Sequence, residues 1–583
     1  MITKNTFLVF FLAIFCLPVS AQKKDVVLPA NWYNLDLLKD GYFGVSTEKA
    51  YQELLKGKTP KKKVVVAVID GGIETAHEDL KDAIWINKKE IPNNGIDDDQ
   101  NGYIDDVNGW NFIGSKKGNL AYDNLELVRI YRKYNPKYKS TIRSTVLDSA
   151  EKEEFALYQQ VTSEFGKRYD DADKNFSVLT LINNLLDTVA VANKTDTPTY
   201  QQIEDYKTID ARELQIKKII RSGTKESGSF DKFYKEIKDA YKQYNVMIRY
   251  NLNLKYDQRQ ALVGDNYENP RERIYGNNDV MGPNAEHGSH VAGIIAANRN
   301  NDLGIRGIAD QVLIMPIRVI PDGDERDKDV ANGIRYAVDN GADIINMSFG
   351  KSYKWAKEVV DEAVKYAESK GVLLVHAAGN DNKDNDRVDN YPTKYYDSPE
   401  SIAYQKKNKP VNALPRPPLP VGRNPNAYNV PRPVKLLPVD TTKFDLPQAS
   451  NWIEVGASAY RDDLDLKASF SNYGKYNVDL FAPGFMIKSS VPRSKYEEFD
   501  GTSMAAPVVS GVAAVLLSYY PALKPQEIRE ILMKSVVKVN RKVKHKNEKG
   551  ENIRINFSDL CRSGGVVNLY NALKLAETYK SSI

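Results

Sequence analysis

The segment Val64-Val65-Val66-Ala67-Val68-Ile69-Asp70 carries no polar side chain until its last position, and Gly71-Gly72 follow at once. A strand alternates its side chains between two faces, so a run that is apolar throughout has to be covered on both. Such strands belong to parallel sheets held between layers of helices. Leu313 to Val319, Asp343 to Met347 and Gly371 to His376 read the same way, and amphipathic stretches over Lys328 to Asn340 and Trp355 to Ser369 fall between them. The spacing predicts an α/β fold: a doubly wound, mostly parallel sheet with helices on both faces.

Two stretches break the rhythm. Residues 115–275 are highly charged and hold helical spacing without a buried-strand run. Phe155, Tyr158, Val161, Phe165 and Tyr169 share one helix face, and Phe230, Phe233, Ile237, Tyr241 and Tyr244 another. This predicts a helical insertion. Residues 393–449 form a Pro-rich insertion; from Pro392 to Pro447 the chain holds 12 of its 27 prolines, a density that forbids regular ladders. The expected organisation is therefore an amino-terminal leader (1–21), a mostly polar extension (22–60), and a core in three parts (61–114, 276–392, 450–583) separated by the two insertions.

Composition narrows the function. The net charge is 82 − 77 = +5 over 583 residues, too small to imply a nucleic-acid surface. Two cysteines, Cys16 and Cys561, exclude a disulfide framework. Lys4, the apolar stretch Phe7 to Leu17 and the small residues before Gln22 read as a signal peptide cleaved after Ala21. The apolar stretch is shorter than the ~20 residues that span a bilayer, and no later run reads as a span. The mature chain is expected to be exported, to the periplasm, cell surface or medium, as a monomer with Cys561 as a structural thiol.

Three distant segments carry the chemistry. Val68-Ile69-Asp70-Gly71-Gly72 ends a strand, while His287-Gly288-Ser289-His290-Val291-Ala292-Gly293 and Gly501-Thr502-Ser503-Met504-Ala505-Ala506-Pro507 each open a small-residue helix. A serine hydroxyl becomes a useful nucleophile when a neutral imidazole takes its proton, and a carboxylate has to hold that imidazole's tautomer. Taken singly, Asp70 would be a turn acid and Ser503 a helix N-cap; the conjunction in the order Asp, His, Ser favours catalysis. The remaining histidines, His77, His290, His376 and His545, read as structural or surface residues.

These motifs resemble those of the subtilisin-like serine proteases, the subtilases, over residues 60–114, 276–392 and 450–575, with Ser289 where the family has Thr. The resemblance implies Asp70 as the orienting acid, His287 as general base and acid, and Ser503 as nucleophile. Ala377-Ala378-Gly379-Asn380 resembles the family's oxyanion segment, which implies Asn380 as a donor to the developing oxyanion. Asn346-Met347-Ser348-Phe349-Gly350 resembles its substrate-lining strand, so Ser348, Phe349 and Gly350 would pair with an extended peptide. Gly379 and Asp381 would border the pocket for the side chain before the scissile bond. An Asp381 carboxylate there would favour Lys or Arg, or else be a solvated turn acid.

One loop suits a metal. Asp97, Asp99 and Asn101, followed by Gly102, match the start of a calcium loop, with the Tyr103 carbonyl and Asp105 as further oxygens. Asn108 stands where that loop ends in Glu, so the expectation is a weak structural Ca2+ site or an acidic turn. The sequence thus predicts an exported serine endopeptidase acting on peptides or proteins. Two rivals are a processing protease of the same chemistry and a catalytically silent scaffold of the same fold.

Overall fold

The structure is a computed structural model that describes residues 27–141, 147–408, 441–547 and 550–580. The leader, Cys16 and most of the Pro-rich insertion lie outside the described residues. The chain divides into two compact units, one built on Leu127–Tyr256 and the other on Pro29–Glu126 with Asp257–Ile583.

The larger unit holds a nine-stranded sheet. Its strands are β1 (Val64–Asp70), β2 (Trp110–Asn111), β3 (Val312–Arg318), β4 (Ile344–Met347), β5 (Leu373–Ala377), β6 (Trp452–Ser458), β7 (Leu480–Pro483), β8 (Val537–Lys538) and β9 (Gly565–Val566). The order is β8-β9-β7-β6-β5-β4-β1-β3-β2, and every pair is parallel except β8 with β9 at one edge. β1 pairs from Val64 opposite Val312 to Asp70 opposite Arg318 on one side, and Val66 pairs with Ile344 on the other. The central position of β1 explains its run of apolar residues.

Helices cover both faces, as the apolar strands require. α1 (Glu286–Ala296) packs on one face with the last of the four core helices, Thr502–Tyr519; α2 (Asp327–Asp339) and α3 (Lys357–Ser369) cover the other. That last helix, α4, is apolar all round because the sheet and α1 enclose it. Among the described residues it is one of two helices long and apolar enough to cross a membrane, the other being Ser149–Ala192, and 94% of its apolar window is buried inside the protein. Ala67, Ile69, Ile317, Met347 and Leu374 form a core with Val330 and Ile334 of α2 and Val360 of α3.

Residues 29–60, most of the amino-terminal extension, pack into this unit. Trp32, Tyr33, Phe43 and Val45 are buried. Trp32 Nε1 donates to the Met486 carbonyl at 2.9 Å, Tyr33 Oη to that of Arg306 at 3.0 Å, and Asn568 Nδ2 to Ser46 Oγ at 2.7 Å. All of these partners lie hundreds of residues away, which is why composition missed the contact.

The smaller unit is helical, with Ser149–Ala192, Ala211–Ser227 and Phe230–Val246 its long members. Asp148 starts the first through a reciprocal capping box with Glu151. Leu186, Ile220, Phe233 and Ile237 lie in its core. A Cβ on Gly223 would come within 2.2 Å of the Phe233 ring, so glycine lets the two helices meet there. The unit is narrower than the 115–275 read from charge and periodicity. Gly114–Ser115 pairs with Gly118–Asn119 in the larger unit, where Arg259 and Lys328 bury their charges against Asp265 and Asp329 or Glu272. Charge and periodicity placed those flanks in the insertion; their charges are buried because they are paired.

Candidate active site

Asp70 ends β1, and His287 is the second residue of α1. Both Asp70 carboxylate oxygens lie 2.9 Å from His287 Nδ1, and the Gly71 N–H donates to Asp70 Oδ1 at 2.7 Å. Asp70 is buried, whereas the His287 side chain is 41% exposed, leaving the ring's other edge open. Burial works against the imidazolium, but the Asp70 charge and hydrogen bond outweigh it and raise the His287 pKa above the ordinary value. Gly288 has to be glycine: a Cβ there would sit 2.2 Å from the Gly72 carbonyl. Behind the acid, buried Arg318 donates from Nε to the Gly71 carbonyl at 2.8 Å, its own pKa pulled down to about 10 by burial.

Ser503 is the second residue of α4, which starts at the N-cap Gly501 without a side-chain cap. Its N–H is therefore among the orphan donors of a helix start. Ser503 Oγ donates to the Ser348 carbonyl at 2.9 Å, and Ser348 Oγ donates back to the Ser503 carbonyl at 2.9 Å. The second bond has a cause in the sequence. Pro507, four residues on, has no N–H to give the Ser503 carbonyl, so Ser348 satisfies it instead. Asn346 Nδ2 in turn donates to Ser348 Oγ at 2.9 Å, and Ser510 Oγ to Asn346 Oδ1 at 2.8 Å, so the strand end and α4 are locked together.

Asn380 lies in the exposed loop after β5. Its Oδ1 accepts from the Thr502 N–H at 2.8 Å and from Thr502 Oγ1 at 2.9 Å, and the amide's NH2 end, 3.6 Å from where a Cβ on Gly501 would sit, takes no part in those two bonds. The Gly379 N–H donates to Thr502 Oγ1 at 3.1 Å. Thr502 was not singled out from the sequence, although it stands inside the serine motif; it ties the Asn380 loop to the helix. Gly350, past the end of β4, and Gly379 both face Asn390, whose amide a Cβ would meet at 2.6 Å and 3.6 Å respectively. Phe349 is half-buried against the core. The Asp381 carboxylate, 64% exposed, pairs with Lys383 at 2.9 Å. None of the four other histidines is a surface residue: His77, His290, His376 and His545 are all buried.

The acidic loop folds around its own backbone. Asp97 accepts from the N–H groups of Asn101 and Gly102, Asn101 Oδ1 accepts from the Tyr103 N–H, and Asp105 accepts from those of Asn94 and Gly95. The carboxylates that converge are Asp99, Glu90 and Asp106, each offering an oxygen within 4.8 Å of the others. Burial raises the Asp106 pKa to about 6, the Asp99 charge adding to it and hydrogen bonds from Tyr336, Asn87 and Asn101 opposing it. Carboxylate oxygens gathered in this way are the donor type that a hard divalent ion takes. Of the five residues read from spacing, only Asp99 belongs to this cluster; Asp106 stands inside the loop at a position the motif does not use as a ligand, and Glu90 lies before it.

A sequence model of the "Subtilase family" matches residues 61–554. The chain is 33% identical over 233 residues to the thermophilic serine proteinase of Bacillus sp. (strain AK1), covering 40% of this chain and 42% of that protein. It is 34% identical over 233 residues to thermitase of Thermoactinomyces vulgaris, covering 40% and 61%. With the major intracellular serine protease of Bacillus subtilis (strain 168) it shares 33% over 246 residues, covering 42% and 59%. The chain thus spans about half the length of the curated relatives it matches.

Proposed function

The chain belongs to the subtilase family, and from that premise we propose that it is a serine endopeptidase that cleaves peptides or proteins through an acyl-enzyme on Ser503. The observation that carries this reading is the bond from His287 Nδ1 to Asp70 at 2.9 Å. It assigns the Nδ1 proton to the Asp70 side and leaves Nε2 as the lone pair that accepts the Ser503 proton. The raised His287 pKa stabilises the imidazolium formed as Ser503 Oγ attacks the scissile carbonyl. His287 then protonates the leaving amine, and water repeats the sequence to release the acyl group. Asp70 keeps its negative charge throughout.

In the resting state Ser503 Oγ donates to the Ser348 carbonyl. On this reading the hydroxyl leaves that bond to give its proton to His287 Nε2, and an extended substrate pairs with the backbone of Ser348 to Gly350. The oxyanion receives the Ser503 N–H and the Asn380 NH2. The two Thr502 bonds on Asn380 Oδ1 support that orientation, since only the NH2 end remains for substrate. Asp381 is a weak selector of Lys or Arg, because its charge is exposed and already paired with Lys383.

Calcium would be structural, held by Glu90, Asp99 and Asp106, and takes no part in the chemistry. Export rests on the charged, apolar and small-residue order of residues 1–21. The test is a fluorophosphonate probe on the folded full-length protein. Labelling at Ser503, lost in Ser503→Ala and His287→Ala, is expected. A folded protein that takes no label would instead be a scaffold.

A further inference from the structure

We propose that Asn472 is the positioning residue that holds the oxyanion donor Asn380 in place; this rests on the reading of Asn380 given above. Asn472 is buried, 92 residues from Asn380 in sequence, and its side chain spends its whole hydrogen-bonding capacity on the Asn380 loop. Oδ1 accepts from the N–H groups of Asp381 at 3.0 Å and Lys383 at 2.9 Å. Nδ2 donates to the Ala378 carbonyl at 2.9 Å and to Asn385 Oδ1 at 3.1 Å. Its backbone N–H donates to the Gly379 carbonyl at 2.9 Å. The bonds fall on both sides of Asn380, at 378 and 379 before it and at 381 and 383 after it.

An amide is the side chain this arrangement needs. Two donors and two acceptor lone pairs are all used, on groups that a carboxylate or a hydroxyl could satisfy only in part. Gly379 fits the same account. It sits at φ 105°, and a Cβ there would lie 2.5 Å from Asn472 Nδ2, so the loop is pressed directly onto this amide. Neighbouring bonds extend the clamp: the Asn382 N–H donates to the Phe470 carbonyl at 2.7 Å and the Asn385 N–H to that of Tyr473 at 2.7 Å. Asn380 is thus held from two directions. Thr502 fixes its side-chain oxygen, and Asn472 fixes the backbone that carries it.

A donor displaced by a fraction of an ångström stabilises the oxyanion less while leaving substrate contacts at Ser348 to Gly350 untouched. With a substrate whose side chain before the scissile bond is small, and so independent of the pocket edge at Gly379 and Asp381, the effect should appear in kcat far more than in KM, and it should exist only while Asn380 is present. The experiment is a double-mutant cycle on the full-length protein with a chromogenic peptide substrate, after circular dichroism and melting confirm the fold. Asn472→Ala is expected to lower kcat about 10- to 100-fold with KM within about twofold. In the Asn380→Ala background the same substitution should cost less than about twofold. Should Asn472→Ala not fold, Asn472→Asp keeps the two accepted bonds and should show a smaller kcat loss that vanishes in the same background. An undiminished loss in the Asn380→Ala background, or a loss confined to KM, overturns the positioning role alone. A wild-type kcat for Asn380→Ala overturns the oxyanion reading and this one with it.

Discussion

Lys467 is buried with no carboxylate partner among the described residues, and replacing it with Met should change how stability depends on pH. Its Nζ donates to Asn382 Oδ1 at 2.8 Å and to the Ala468 carbonyl at 3.2 Å, beneath the loop that carries Asn380. Burial alone lowers its pKa from 10.5 to about 7. The nearby imidazole is His545, which burial and the Lys467 charge hold at about 4, so it is neutral across the range that matters. Between pH 7 and 10.5 the unfolded chain binds a proton that the folded chain does not, so stability rises with pH through that window. At about 1.4 kcal/mol per pH unit, the change is at most about 5 kcal/mol. Lys467→Met removes the whole pH-dependent cost and forfeits a hydrogen bond worth about 1 kcal/mol. The variant should be more stable than wild type at pH 6 by roughly 2–4 kcal/mol, and the advantage should vanish near pH 10. The assay is urea denaturation at pH 6, 8 and 10, in a Ser503→Ala background that prevents self-cleavage. Tryptophan fluorescence suits it, because all five tryptophans lie in the larger unit. Subtracting the two profiles cancels every other titration. Parallel profiles for wild type and variant would refute the argument.

Three further outcomes are expected. Asp70→Asn should move the acidic limb of the kcat/KM profile to lower pH and reduce kcat by about 10⁴-fold, since the carboxylate both raises the His287 pKa and sets its tautomer; stopped pH–rate measurements check both. Chelator should lower the Tm of wild type, and Asp99→Ala, Glu90→Gln or Asp106→Asn should each remove most of that sensitivity while Asp105→Asn keeps it; differential scanning calorimetry decides. Trp32→Ala should cost about 3–5 kcal/mol of stability to chemical denaturation, because the ring is buried and its Nε1–H anchors Met486, just before the hairpin of Ile487–Val491 and Lys495–Phe499.

The central strands, the helices between them and the Asp, His and Ser motifs were all legible in the chain. Each is a local pattern: an unbroken apolar run, an apolar stripe, or a few adjacent residues that a sharp turn or helix start demands. Pro507 shows how far local chemistry reaches, since a missing N–H foretells that the Ser503 carbonyl needs a partner but not that Ser348 supplies it. The packing of residues 29–60, the convergence of Glu90 and Asp106 on Asp99, and the clamp from Asn472 had no such signature. A few apolar residues in a polar stretch, or an amide or carboxylate in a turn, carry no periodic signal, and their partners are set by how the loops fold, as with Asn472 and the Asn380 loop or Asp106 and Tyr336. Composition and periodicity decide which faces must be covered; which segment covers them, and which buried amide or carboxylate is satisfied by doing so, is settled only when the sheet brings distant loops to one edge.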